Sequence, residues 1–132
     1  MRIGELACAV GVTSKTIRYY ESIGLVAEPA RTSGGYRDYG PEAVERLRFI
    51  RDAQSTGLSL AEIQSVLELK DLGASTCEHT RSLLDRHLAD IDEQLERLQT
   101  ARVELVALAE RAGHLDPGSC TDPNRCQVIE PA

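Results

Sequence analysis

The sequence predicts an all-α, mainly helical protein with a small β wing: a helix-turn-helix head followed by one long coiled-coil helix. Three observations carry that expectation. Two short segments with helical apolar spacing are separated by a Gly-Val break at 11–12. A glycine turn between short extended pieces, ARTSGGYRDYG, fills 30–40. A stretch from about 76 to 112 repeats apolar residues at alternating steps of four and three.

The elements follow in order. In IGELACAV, residues 3–10, Ile3, Leu6, Ala7 and Val10 share one helical face. Thr13 is placed to cap a second helix, 14–23, with Ile17 and Tyr20 inward and Gly24 at its end. Two short helices joined by a glycine-containing turn have the form of a helix-turn-helix. After the wing at 30–40, Pro41 suits the first turn of a third helix. Val44, Leu47, Phe49, Ile50 and Ala53 are its inward candidates, and Gly57 is its stop. Ser59 with Glu62 reads as a capping box opening a fourth helix, 60–70. Ser75 with Glu78 repeats the pattern before the long helix, which Gly113 is expected to end. At 1.5 Å per residue that helix spans roughly 55 Å, too long to pack against a 70-residue head. Its seam runs Leu84, Leu88, Ile91, Leu95, Leu98, Leu105, Ala109 and Ala112, interrupted by Arg102. A lone seam needs a partner, which points to a homodimer. The expected organisation is a winged helix-turn-helix head at 1–70, a linker and dimerisation helix at 71–112, and a loop and tail at 113–132.

Composition narrows the class. With 132 residues there is room for one domain, or a small domain and an extension. No run of 18 apolar residues appears, so no transmembrane helix and no membrane partner are expected. The start, MRIGELACAVGV, has one basic residue and then Glu5, unlike a secretory signal, so the expected location is cytoplasmic. There four cysteines read as thiols, metal ligands or redox groups rather than structural disulfides. The net charge of −6 argues alone against nucleic acid, but its distribution does not. Residues 1–70 hold nine basic and nine acidic side chains, whereas 71–132 hold six and twelve. Within 2–37, Arg2, Lys15, Arg18, Arg31 and Arg37 outnumber three acidic residues.

Two constellations carry chemistry. With Ile17 and Tyr20 buried, Lys15, Thr16, Arg18 and Tyr19 lie toward the outer face of the second helix, able to reach phosphates and base edges in a major groove. The wing adds Arg31, Tyr36, Arg37 and Tyr39. Basic and aromatic residues in two adjacent elements point to double-stranded DNA. The second constellation is cysteine. Cys8, among apolar neighbours, is expected to be a small buried core residue. Cys120 and Cys126 bracket TDPNR, a turn able to bring two thiolates onto one ion. Cys77 stands in the first turn of the long helix, and a helix N-terminus favours thiolate. Soft thiolates select thiophilic ions. His79, His87 and His114 are lesser candidates, and Asp122 is a candidate oxygen ligand for zinc. Inert or redox-active cysteines are the alternative, which would make the chain a sensor of oxidants or electrophiles. An enzyme is not expected, because no general base stands near the cysteines and no substrate pocket is foreseen.

The residues IGELACAVGVTSKTIRYYESIGL at 3–25, GGYRDYGPEAVERLRFI at 34–50 and GLSLAEI at 57–63 resemble the MerR family of transcriptional regulators. The long helix and cysteine-containing tail follow in the family's order, so the resemblance covers essentially the whole chain. It implies a winged helix-turn-helix dimer with an antiparallel coiled coil, bound to a palindromic promoter. Lys15, Thr16, Arg18 and Tyr19 match recognition-helix positions, and Arg31, Tyr36 and Arg37 match wing positions. The family acts on promoters whose spacer is too long for RNA polymerase, distorting the DNA when the effector binds. The short tail is similar to that of the metal-responsive branch. Cys120 and Cys126 match loop ligands, and Cys77 matches the ligand at the start of the partner's long helix. A cysteine at 77, where copper(I)-type members carry serine, implies a divalent effector: zinc, cadmium, lead or mercury. The Cys120–Cys126 loop is short for that branch.

Overall fold

A computed structural model of the chain describes residues 1–130; residues 131 and 132, the end of the expected 113–132 tail, lie outside the described residues. The chain divides into two compact units, Met1–Asp85 and Arg86–Ala132. Its elements are α1 (Ile3–Val10), α2 (Ser14–Ser22), β1 (Ala30–Arg31), β2 (Arg37–Asp38), α3 (Pro41–Ser55), α4 (Leu60–Asp71) and α5 (Cys77–His114), then a 3-10 turn at Pro117–Ser119. β1 and β2 form a two-stranded antiparallel sheet that pairs Ala30 with Asp38 and Arg31 with Arg37. This is the mainly helical fold with a small wing that the sequence predicts.

Local chemistry sets the head's helix ends. Gly11 takes the left-handed conformation, φ 78°, and its N–H donates to Ala7 O at 2.9 Å, closing α1. Arg51 of α3 donates to Val10 O at 2.6 Å, placing a cation on the carbonyl end of α1. Thr13 Oγ1 accepts from Thr16 N–H at 3.1 Å and starts α2. Ser59 and Glu62 form both arms of the expected capping box, at 3.2 and 2.9 Å; replacing such a cap by alanine costs about 1 kcal/mol. The core is one cluster in which Leu6, Ile17, Leu25, Leu47, Ile50 and Ile63 are fully buried. Val44 and Phe49 pack only partly against it, and Lys70 Nζ sits 4.8 Å from the Phe49 ring centroid. Arg46 stitches three elements: its Nε donates to Leu25 O at 2.8 Å and its Nη1 to Asp71 at 2.7 Å. These bonds hold the Asp71 carboxyl below its ordinary range.

α5 starts inside the head's unit. Leu83 is buried in the head's core cluster, and His79 Nε2 lies 2.7 Å from Ser65 Oγ of α4. Beyond that turn its apolar side chains are exposed: Leu88, Ile91, Leu95 and Leu98 range from 50 to 67%.

Four expectations are corrected. Cys8 is exposed rather than buried. It stands two residues, about 200° of helical rotation, from Leu6, which α1 turns into the core. Tyr39 is buried rather than displayed on the wing, and its hydroxyl donates to Glu21. Gly113 does not end α5, which continues through His114. The stop comes with Asp116-Pro117, where proline forces extended backbone on the residue before it, φ −79° and ψ 118°. α5 begins at Cys77, with Thr76 and not Ser75 directly before it, and Thr80 N–H donates to Thr76 O at 2.9 Å.

Burial, the hydrogen bond to Glu21 and that carboxylate's charge push the Tyr39 phenol up to about 12. The neutral phenol is thus favoured by folding, and its contribution is complete below the unfolded value of about 10. It is lost as pH rises from there toward 12. Tyrosinate absorbance should therefore show a late ionisation near 12 that Tyr39→Phe removes, with head stability falling across that window in the wild type. A Tyr39→Phe titration identical to the wild type's would contradict the buried contact.

Candidate nucleic-acid interface and cysteine site

The interface is built on α2 and the wing. Burial of Ile17 and Tyr20 fixes the rotation of α2, and Lys15, Arg18 and Tyr19 are exposed. Thr16, expected on the same face, is half-buried, and its hydroxyl is 2.9 Å from Thr13 Oγ1; it serves the helix cap. In the wing, Arg31 is exposed and donates to Gly35 O at 2.9 Å, closing the turn. That turn needs Gly35 in the left-handed region, φ 83°. Tyr36 is exposed, whereas Arg37 is half-buried with its Nε 3.6 Å from Glu21 Oε2. Glu21 thus meets both Arg37 and Tyr39, locking the wing to α2.

Two residues were not singled out from the sequence. Glu21 offered no signal beyond its place in the IRYYE segment. Arg2 was visible as a basic residue, but only the fold brings its guanidinium to 4.4 Å from the Tyr36 ring centroid. Arg2, Arg18, Arg31, Arg37 and Tyr36 line one concavity of about 210 Å³. A larger cavity in the head, about 610 Å³, is lined by other residues, among them Glu28, Asp38, Glu42 and Asp71, and by none of the cysteines.

All four cysteines are exposed free thiols. Cys77 is the first residue of α5, in the first unit; Cys120 and Cys126 belong to the second. Cys120 follows the 3-10 turn, where Asp116 accepts from Gly118 N–H at 2.9 Å. Asp122 accepts from Asn124 N–H at 2.9 Å and shapes the loop between the two cysteines. Cys126 O accepts from Ile129 and Glu130 N–H at 3.1 and 2.7 Å. His79 is engaged by Ser65, His87 is half-buried on α5, and His114 is its exposed last residue. Among the described residues, no group of three or more His, Cys, Asp or Glu able to hold a metal forms within the single chain. No helix of the described residues is long and apolar enough to cross a membrane.

A helix-turn-helix with a β wing and an arginine-rich junction between them defines a winged helix-turn-helix DNA-binding protein. Residues 1–70 match the family model described as MerR HTH family regulatory protein, and 44–108 match the model described as MerR, DNA binding. The chain belongs to the MerR family of helix-turn-helix regulators, which are transcriptional regulators and not enzymes. It is 40% identical over 111 residues to a ZntR homolog of Haemophilus influenzae, covering 84% of this chain and 82% of that one. It is 41% identical over 129 residues to a mercuric resistance operon regulatory protein of Bacillus cereus, covering 98% and 94%. Among solved structures it is similar to the transcription regulator PbrR691 of Ralstonia metallidurans CH34 in complex with lead(II), with a TM-score of 0.76, 32% identity and coverage of 98% and 96%.

Arg18→Ala should weaken operator binding by about 1–3 kcal/mol, the range for a direct base or strong phosphate contact. Fluorescence anisotropy on promoter duplex checks it. Wild-type affinity in the variant at physiological salt would mean that α2 docks by another face.

Proposed function

We propose that this chain is a metal-responsive transcriptional activator that binds a palindromic promoter as a homodimer. On this reading 1–70 is the DNA-binding head, 71–112 the linker and dimerisation helix, and 113–132 the metal-binding loop and tail. Lys15, Arg18 and Tyr19 approach the major groove, with Thr16 beside them capping the helix, while Arg31, Tyr36 and Arg37 hold the backbone beside it. The effector is a divalent thiophilic ion of the zinc, cadmium, lead and mercury group.

The observation that carries this reading is the placement of Cys77 at the first residue of the same helix whose apolar stripe lies exposed. Exposed apolar surface of that extent and heptad spacing calls for a partner helix. An antiparallel pairing of two such helices brings the tail of one protomer toward the start of the other's α5. Cys77 of one protomer would then join Cys120 and Cys126 of its partner. The donor set fits the ion: three exposed, unoxidised thiols suit a soft divalent cation, and a third thiolate offsets charge that two leave uncompensated. Asp122 already serves its own loop through Asn124, so the thiols are the ligands here. The mercuric resistance operon regulatory protein among its relatives, and a structural neighbour in complex with lead(II), support a metal effector.

The mechanism follows from differential binding. A ligand that bridges two protomers biases one of two dimer geometries only if it binds that geometry better. The two heads then impose a different shape on the DNA between half-sites, and deformation carries the signal to RNA polymerase. Operator affinity changes little, because the apo and metal-bound dimers both occupy the site.

Removing Cys120 or Cys126 should abolish metal-induced transcription while sparing DNA binding. A Cys77→Ser homodimer should lose the divalent response. The test mixes Cys77→Ser protomers with Cys120→Ser/Cys126→Ser protomers and titrates divalent metals, with a peroxide arm to separate thiol oxidation. Regained induction in the mixed dimer is the expected result, since one intact site reforms. A mixed dimer of proven composition that stays inactive overturns the cross-subunit site, and a peroxide response without a metal response overturns the effector class.

A further inference from the structure

The concavity between α1, α2 and the wing has a chemistry that the recognition helix alone does not explain. Its lining includes four arginines, Arg2, Arg18, Arg31 and Arg37, and no carboxylate among the described residues. At about 210 Å³ it is smaller than the ~300–1,000 Å³ of pockets for organic ligands. Guanidinium groups present paired donors that match the oxygens of a phosphate, so the fitting ligand is one phosphate group and not a base or a nucleoside. Three of the four arginines belong to α2 or the wing. Arg2 belongs to neither, standing directly before α1.

Arg2 is also held in place. Its backbone N–H donates to Glu5 at 2.9 Å, and its guanidinium lies 4.4 Å from the Tyr36 ring centroid. Arg31 is oriented by Gly35 O at 2.9 Å, and Arg37 by Glu21 at 3.6 Å. A guanidinium held before binding loses less side-chain freedom on contact. With five donors per guanidinium, these partners leave donors for an anion.

We infer that this concavity seats one backbone phosphate of the bound duplex, with Arg2 closing it from outside both the recognition helix and the wing. The inference rests on the promoter-DNA reading above. It gives Arg2 a role read in the salt dependence: its charge neutralises a phosphate, while its place over the Tyr36 ring orients the guanidinium. A phosphate contact is sequence-independent and releases counterions, so it appears in the salt dependence of binding.

The test uses the full-length chain with duplex from its own promoter and a scrambled duplex of equal length, measuring affinity across a potassium chloride series. Arg2→Gln should weaken both duplexes by about tenfold or more. It should also lower the slope of log affinity against log salt by about one per protomer. Arg2→Lys, which keeps the charge and loses the planar stack, should keep the slope. Thermal unfolding of each variant should match the wild type, because Arg2 is exposed. A wild-type slope in Arg2→Gln overturns the phosphate contact, and so does a loss confined to the promoter duplex. Inorganic phosphate is titrated alone as a second arm. Saturable binding that Arg2→Gln removes, with the DNA slope unchanged, would assign the concavity to a free anion and overturn the duplex seat. Failure of the wild type itself to prefer its promoter duplex would instead sink the promoter reading, a distinct result.

Discussion

The long helix cannot satisfy its own surface, and the rest of the proposed account depends on that. α5 buries Leu83 in the head and is tied to α4 through His79 and Ser65. From Leu84 to Leu98 its seam positions are exposed to solvent. Fully burying a single leucine or isoleucine side chain is worth about 1.5–3 kcal/mol, so five such residues between 84 and 98 form a strong drive to associate. Two heads on one duplex, a metal site shared between chains and a switch read as DNA shape all require the second copy that this stripe calls for.

The head is organised so that the groups proposed to face DNA are fixed by contacts behind them. Glu21 receives Tyr39 and faces Arg37, which sets the wing against α2. Thr13 and Thr16 cap the recognition helix, and Arg51 anchors the end of α1. Four arginines, Arg2, Arg18, Arg31 and Arg37, gather at the junction of α1, α2 and the wing. The larger cavity of the same head is lined by Glu28, Asp38, Glu42 and Asp71, with Arg46 paired to Asp71. On the DNA-binding reading, that clustering gives a chain of net charge −6 a local surface fit for a polyanion.

Much of this was legible in the sequence because local rules and the fold agree. The Ser59–Glu62 box, Pro41 at the start of α3 and the α1–α2 break at Gly11 are short-range signals, and each helix forms where they place it. The heptad stripe was legible for the same reason, since it is a periodicity. Two of the misses, Tyr39 and Arg2, are tertiary, and two, Cys8 and Gly113, are local. Tyr39 looked like a wing surface residue until the fold brought Glu21 beneath it, a partner 18 residues away. Cys8 has apolar neighbours in sequence, but its helical angle excludes it from the core. Gly113 was read as a stop, although a glycine terminates a helix only where the backbone turns left-handed, and here Asp116-Pro117 does the work. Arg2 could not be linked to the wing, because its contact with Tyr36 spans 34 positions of chain that no local rule connects.

The central claim is that the stripe of α5 is a homodimer seam on which specific DNA binding depends. Ile91 and Leu95 stand at its middle, half-exposed in the single chain. Replacing both by Asp would bury uncompensated charge against a partner helix while leaving the head's core untouched. Sedimentation velocity on the wild type and the Ile91→Asp/Leu95→Asp variant is the direct measurement. The account predicts a wild-type dimer and a folded monomeric variant that no longer prefers the palindrome over scrambled duplex. A variant that sediments as a dimer and binds the palindrome like the wild type would contradict it.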